Sequence, residues 1–254
     1  MNREQLLKTI RDSIIGKHHE IDGPFGPRRI SYADYAASGR SVTFIEDFIR
    51  EHVLPYYANT HTESSGTGLQ TTWFRENARE IIRKAVGGTD EDVVIFTGSG
   101  ATGAINKLVD ILNLRLPADL DDRYQLLDRI PSGERPVVFI GPYEHHSNEL
   151  PWRESIADVV VIDEDENGRP DPGLLEEALL RYPDRPLRIG SFSAASNVTG
   201  IGSKTREISA ILHRHGALAF WDFAAAGPYV KINMNRAEDD SDHYKDAVFL
   251  SPHK

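Results

Sequence analysis

Apolar residues along this chain come in two rhythms. Unbroken short runs recur: "VVIF" (93–96), "VVFI" (137–140), "DVVVID" (158–163), "LRIGSFS" (187–193), "ALAFWD" (217–222) and "AVFLS" (247–251). Each has the length and the β-branched or aromatic content of a strand covered on both faces. Between them, apolar positions return every three or four residues. That spacing predicts a helix from about 101 to 114, with Ile105, Leu108, Val109 and Leu112 on one face, and a helix over 172–182. It also predicts a helix over 204–216 that turns Ile208, Ile211 and Leu212 inward and stops at Gly216. Upstream, residues 1–20 read as an amphipathic helix. Ser41 is expected to cap a helix carrying Ile45, Phe48, Ile49 and Val53, and another helix is expected from about 73 to 86. Strands alternating with helices require crossover connections. The expected fold is therefore α/β, a three-layer sandwich with a mostly parallel sheet. Residues 1–30 are expected to stand outside a main domain of 31–254, the stretch between 114 and 137 to be mostly a long polar loop, and the acidic run at 237–242 to be a solvated loop.

Composition narrows the partners. The chain has 254 residues, 39% hydrophobic and 27% charged, which suits a folded domain rather than a disordered one. Its net charge of −10 repels phosphate backbones and anionic lipid, so neither nucleic acid nor membrane is an expected partner. The absence of cysteine removes disulfides, thiolate zinc sites and a cysteine nucleophile from these residues, and suits a reducing cytoplasm. No apolar run reaches membrane-spanning length, and the first residues lack the apolar core and cleavage site of a signal peptide.

In parallel α/β sheets ligands gather at the carboxyl ends of the strands. Every predicted strand here ends in small or polar residues: "TGSGATG", "GPYEHHSN", "AASNVTG", "DFAAAG" and "SPHK". The first places Gly98, Gly100 and Gly103 between a strand and a helix, where backbone amides hold phosphate. A glycine turn without a ligand is the plain alternative. A dinucleotide reading needs an acid about 20 residues further on, and that spacing is not met, so a mononucleotide-sized phosphate with Thr102 adding a hydroxyl is favoured. His145 and His146 lack a third clustered ligand for zinc; a histidine stacked on a flat ring suits the place. Asp222 closes a very apolar strand, where a carboxylate needs a partner such as a protonated ring nitrogen, a loop cap being the alternative. Lys254 follows another strand, and a lysine whose pKa is lowered in a site attacks carbonyls. Phosphate loop, ring-stacking histidine, buried aspartate and reactive lysine together point to pyridoxal 5′-phosphate (PLP).

Seven segments carry a resemblance: "YADYAAS" (32–38), "NTHTESS" (59–65), "GATGAIN" (100–106), "EHHSNELPW" (144–152), "SNVTG" (196–200), "WDFAAA" (221–226) and "SPHK" (251–254). In this order they resemble the class V aminotransferase and cysteine desulfurase group of fold-type-I PLP enzymes, with "EHHSN" leaning toward the desulfurase and selenocysteine-lyase branch. The resemblance implies that Lys254 forms the Schiff base and shuttles protons, that Asp222 pairs with the pyridinium nitrogen and that His145 stacks on the ring. It further implies that Gly100, Ala101 and Thr102 bind the phosphate with help from Ser251 and His253. Asn197 would lie near the ring's phenolic oxygen, and Asn59 and His61 on the substrate side. A homodimer and a small amino-acid substrate are implied as well. Two departures stand out. Ala225 occupies the position where the desulfurases carry a glutamine, and no cysteine is present to take sulfur. The family pattern also continues past its lysine, so a longer native chain is expected. Desulfuration comes first, with transamination and epimerisation beside it; a nicotinamide-dependent oxidoreductase and an inactive PLP-fold remnant are the competing classes.

Overall fold

The computed structural model describes residues 2–60, 62–235 and 242–254. The chain divides into two compact units, Met1–Ile82 with Lys254, and Arg83–His253. Among the described residues no helix is long and apolar enough to cross a membrane.

The first unit opens with α1 (Arg3–Ser13). Asn2 accepts from the Gln5 amide and the Gln5 side chain accepts from the Asn2 amide, a reciprocal cap that satisfies two orphan donors. A hairpin follows, β1 (Glu20–Gly23) and β2 (Gly26–Arg29). The next helix, α2 (Thr43–Phe48), is preceded by Val42, and no side chain caps it. This corrects the expected Ser41 cap. The Ser41 carbonyl accepts from Ile15 at 2.9 Å and Val42 bridges to Ile14, so this stretch is held extended and the helix starts after it. The apolar positions at 49–53 continue as a π turn rather than as α-helix. Helix α3 (Gly66–Ala85) begins well before the expected residue 73, with the Ser65 hydroxyl accepting from the Gly68 amide at 3.1 Å.

The second unit carries α4 (Gly100–Ile111), α5 (Ala118–Tyr124), β3 (Val137–Ile140), α6 (Leu150–Arg153), β4 (Asp158–Val161), α7 (Pro172–Leu180), β5 (Arg188–Ser193), α8 (Thr205–Arg214), β6 (Leu218–Asp222) and β7 (Ala247–Phe249). The five strands β3 to β7 form one sheet in the order β4-β3-β5-β6-β7, every neighbouring pair parallel. Side chains alternate across it. On one face Val137, Phe139, Phe192 and Trp221 meet Leu175 and Leu179 of α7 and Ile208 and Leu212 of α8. On the other, Val138, Ile140, Ile189, Phe220 and Phe249 meet Ile105 and Val109 of α4, with Trp152 among them. Trp152 and Trp221 are both fully buried, in opposite layers. The expected three-layer α/β architecture is therefore present.

Two expectations fail. The run 93–96 joins neither sheet, and Val93 is 81% and Ile95 53% exposed. A strand exists only against a partner edge, and β7, the last strand of the sheet, is paired with β6 alone. The expected loop between α4 and β3 also contains α5 and two short 3₁₀ turns.

Candidate functional site

The strand order reverses between β3 and β5: from β3 the chain crosses to β4 on one side and then returns to β5 on the other. A crevice opens at such a switch point, beyond the carboxyl ends of the strands. The polar segments after β3, β5, β6 and β7 belong to this end of the sheet.

The amino end of α4 forms one wall. Ser99 and Gly100 turn left-handed, with φ of 63° and 60°, and Ser99 makes no side-chain cap. Ser251, in the segment after β7, supplies an acceptor instead: its Oγ takes the Ala101 amide at 3.0 Å. A side-chain carbon on Gly100 would lie 3.1 Å from that oxygen and 3.9 Å from His253 Nε2, which places both residues against the helix end. A carbon on Gly103 would fall 1.7 Å from the Gly98 carbonyl oxygen, so the loop folds onto the first helical turn only because residue 103 is glycine. Helix-end amides and the positive end of the dipole favour an anion here.

A chain of hydroxyls leads away from this end. Thr102 Oγ1 lies 2.6 Å from Ser147 Oγ, which lies 3.0 Å from His145 Nδ1; the Ser147 amide also donates to Nδ1, at 3.2 Å. With Nδ1 accepting both Ser147 donors, neutral His145 carries its proton on Nε2, and Thr102 donates to Ser147. The His145 ring is exposed, as is His146.

At the switch point itself sits Glu144. Its Oε1 accepts from the amides of Gly141 (3.2 Å) and Ser193 (2.9 Å), and its Oε2 from Ser193 Oγ (2.6 Å) and Asn148 Nδ2 (2.7 Å). Asn148 in turn binds Ser191 through both ends of its amide and takes the indole N–H of Trp152. This network ties the loop after β3 to β5. Burial pushes the Glu144 carboxyl up to about 7, and the negative charge of Asp222 adds to that, against the pull of the donors.

Asp222 closes β6 and is 6% exposed. It follows Phe220 by two positions, so its side chain shares the α4 face. Its Oδ1 accepts from the Ala224 amide at 2.7 Å and its carbonyl from the Ala194 amide at 2.8 Å. Asn197 is exposed in the turn after β5, which Ser196 Oγ closes by accepting from Val198 and Thr199.

The structure thus gathers Gly100, Ala101, Thr102, Ser251 and His253 at one helix end, links Thr102 to His145, and places Asp222 on the same side of the sheet. Asn59 and Lys254 belong to the first unit: Asn59 is exposed in a segment whose neighbour Ala58 donates to Thr71, and Lys254 is half-buried. His61 lies outside the described residues. Sequence reasoning missed Glu144, Ser147, Asn148 and Ser193; the one available signal was an acid following a buried strand.

These groups fit a phosphorylated, positively charged aromatic ring: a helix end and the two hydroxyls of Thr102 and Ser251 for a phosphate, a buried carboxylate for a ring cation, and an exposed imidazole face. The family model described as aminotransferase class-V matches residues 31–254. A probable cysteine desulfurase of Halalkalibacterium halodurans is 28% identical over 207 residues, 80% of this chain and 46% of that protein. One from Methanothermobacter thermautotrophicus is 29% identical over 206 residues, again 80% and 46%. The chain thus spans about half the length of these curated relatives. Among solved structures, the apo cysteine desulfurase of Thermococcus onnurineus superposes with a TM-score of 0.70 at 20% identity, over 97% of this chain and 53% of that one. A structure of SspA in complex with cysteine gives 0.66 at 22% identity, over 88% and 57%.

Proposed function

The chain belongs to the aminotransferase class-V family, and from that premise we propose that residues 31–254 are the PLP-binding domain of an enzyme acting on a small amino acid in the manner of a cysteine desulfurase. The observation that carries this is the amino end of α4, where Ser251 meets the Ala101 amide and Ser147 meets Thr102 from two different segments, on the side of the sheet that also carries the buried Asp222. The curated relatives are named probable cysteine desulfurases, and one structural neighbour binds cysteine.

Bound there, PLP supplies an electron-withdrawing ring that stabilises negative charge at the substrate Cα. Gly100, Ala101, Thr102, Ser251 and His253 hold its phosphate. Asp222 would accept the ring N–H and keep that nitrogen protonated, since a buried carboxylate strongly favours an adjacent cation. His145 offers its ring face, oriented through Nδ1 by Ser147, and Asn197 stands at the turn beside the ring. Lys254 would hold the cofactor covalently and move the Cα proton, and Asn59 and His61 would serve the substrate side. Desulfuration needs a thiol to receive sulfur, and these 254 residues contain none. The acceptor must therefore come from another polypeptide or from elsewhere in the native protein. A cysteine-free composition suits the reducing cytoplasm, where we place the enzyme.

Borohydride treatment of the PLP-loaded protein, followed by peptide mass mapping, tests the assignment. Reduction of the visible band with the added mass on Lys254 is expected, and Lys254→Ala abolishes both the band and turnover. A band that survives in Lys254→Ala would remove this residue as the anchor. Asp222→Asn keeps the shape but not the charge; it is expected to lower kcat by about 10²–10³, the scale of losing one preorganised electrostatic partner.

A further inference from the structure

A second cavity, of about 460 Å³, lies in the Arg83–His253 unit between the segment after β6 and the start of α8. Ala194 and Phe223, which line it, belong to the core on the α7–α8 face of the sheet, the face opposite α4. It is thus separate from the site at the amino end of α4. Its size falls within the ~300–1,000 Å³ of small-molecule sites.

The charged lining is one-sided. Arg206, Lys231 and Lys245 line the cavity, and no described lining residue is Asp or Glu, in a chain whose net charge is −10. Lys245 is 5% exposed, and its Nζ donates to the Asn233 carbonyl at 2.9 Å. Among the described residues no carboxylate forms a salt bridge with it. Burial, and then the like charge of Arg206, push its amine down to about 8. An ammonium held this way lacks the counter-charge that normally offsets its desolvation. Two neighbouring acids among the described residues are engaged elsewhere: Asp92 accepts from Asn235 and from Thr89, and Asp246 from His213 and the Ala219 amide. His243 faces the Arg206 guanidinium through Nε2, which accepts, so that nitrogen carries no proton.

The first turn of α8 contributes as well. Its preceding residue, Lys204, makes no side-chain cap, and Thr205 and Arg206 of that turn line the cavity together with Ser203. The Thr205 amide donates to the Ser203 carbonyl at 2.9 Å and the Ser203 hydroxyl to the Ser193 carbonyl at 2.6 Å, so the donors left to an oxyanion are the next amides of the turn, the Thr205 hydroxyl and two cationic side chains.

We propose that this cavity binds a small phosphate-bearing anion, held by Lys245, Arg206 and the first turn of α8. The cavity exceeds one phosphate group, so an ester carrying a short organic part fits it better than the free ion.

Calorimetric titration with pyrophosphate tests this, using the intact protein saturated with PLP so that the α4 end is filled. Saturable one-site binding is expected, weakened at least tenfold by Lys245→Met and by Arg206→Gln. No binding, binding that PLP abolishes, or binding untouched by both variants would overturn the proposal. Parallel titrations with phosphate and with glycerol phosphate separate the sources: tighter binding of the ester supports an organic phosphate, and equal binding supports the free anion. Folding is controlled within the same set. Lys245→Met removes an unpaired buried charge, so its Tm without ligand is expected to be no lower than that of the parent, while the rise in Tm caused by pyrophosphate disappears. Arg206 is exposed, and Arg206→Gln leaves the core untouched.

Discussion

A carboxyl enclosed as Glu144 is enclosed has a stability that depends on its proton. Its ordinary value is 4.5, and in the fold it is pushed up to about 7. The folded state therefore holds the proton more tightly than the unfolded chain does. The contribution is full below pH 4.5 and is lost as pH climbs through 7, a change of at most about 3 kcal/mol. His213 acts in the same direction at higher pH. Burial lowers its affinity for the proton, but Asp246 at 3.0 Å and the Asp242 carbonyl at 2.6 Å outweigh this and raise it above 6.5. Its contribution is present below 6.5 and fades as pH rises past its folded value. Denaturant unfolding should thus show lower stability at pH 8.5 than at pH 5.5, with Glu144→Gln flattening the lower part of the decline and His213→Gln the upper. Glu144→Gln also turns an amide N–H₂ toward Ser193 or Asn148 donors, at a cost of about 1–3 kcal/mol. The sequence pointed to the histidines of "EHHSN" rather than to this acid, because the Ser193 partners of Glu144 come from another strand. Burial of a polar side chain is decided by such distant pairings.

At the level of elements, strands buried on both faces were legible wherever an unbroken apolar run also found a neighbour. Runs 137–140 and 187–193 became central strands, whereas the equally apolar 93–96 did not, because composition reports on burial and not on the presence of a partner edge. Helix α3 was legible only in its second half. Its start, "GTGLQTT", is rich in residues of poor helix propensity, and the helix forms there under the Ser65 acceptor. Loop and helix meet most tightly at Gly103. Gly103→Ala must displace the Gly98 carbonyl, so this variant is expected to lose about 1–3 kcal/mol, and to bind PLP more weakly because the anion-holding turn moves with it. Thermal melting and PLP titration of the same sample check both. The glycine turn itself was legible, since a glycine pattern between an apolar run and a helix predicts a tight loop at the helix's amino end. Its acceptor Ser251, at the far end of the sequence, came to light only through the resemblance.

Across the whole molecule, the α/β class followed from the alternation of the two apolar rhythms, while the strand order did not, since nothing local says that β4 lies outside β3. That order has a practical consequence through the three tryptophans. Trp73 is 58% exposed on α3, Trp152 is sealed on the α4 face of the sheet, and Trp221 is sealed on the α7–α8 face, donating to Ser209 at 2.9 Å. Intrinsic fluorescence is therefore a position-resolved probe already built into the protein. Trp73→Phe should remove the water-exposed, red-shifted part of the emission. Retaining Trp152 or Trp221 alone would then report each side of the sheet by itself. Because both sides share the same strands, their denaturation curves should coincide; separated midpoints would mean that one layer of helices peels away while the sheet survives.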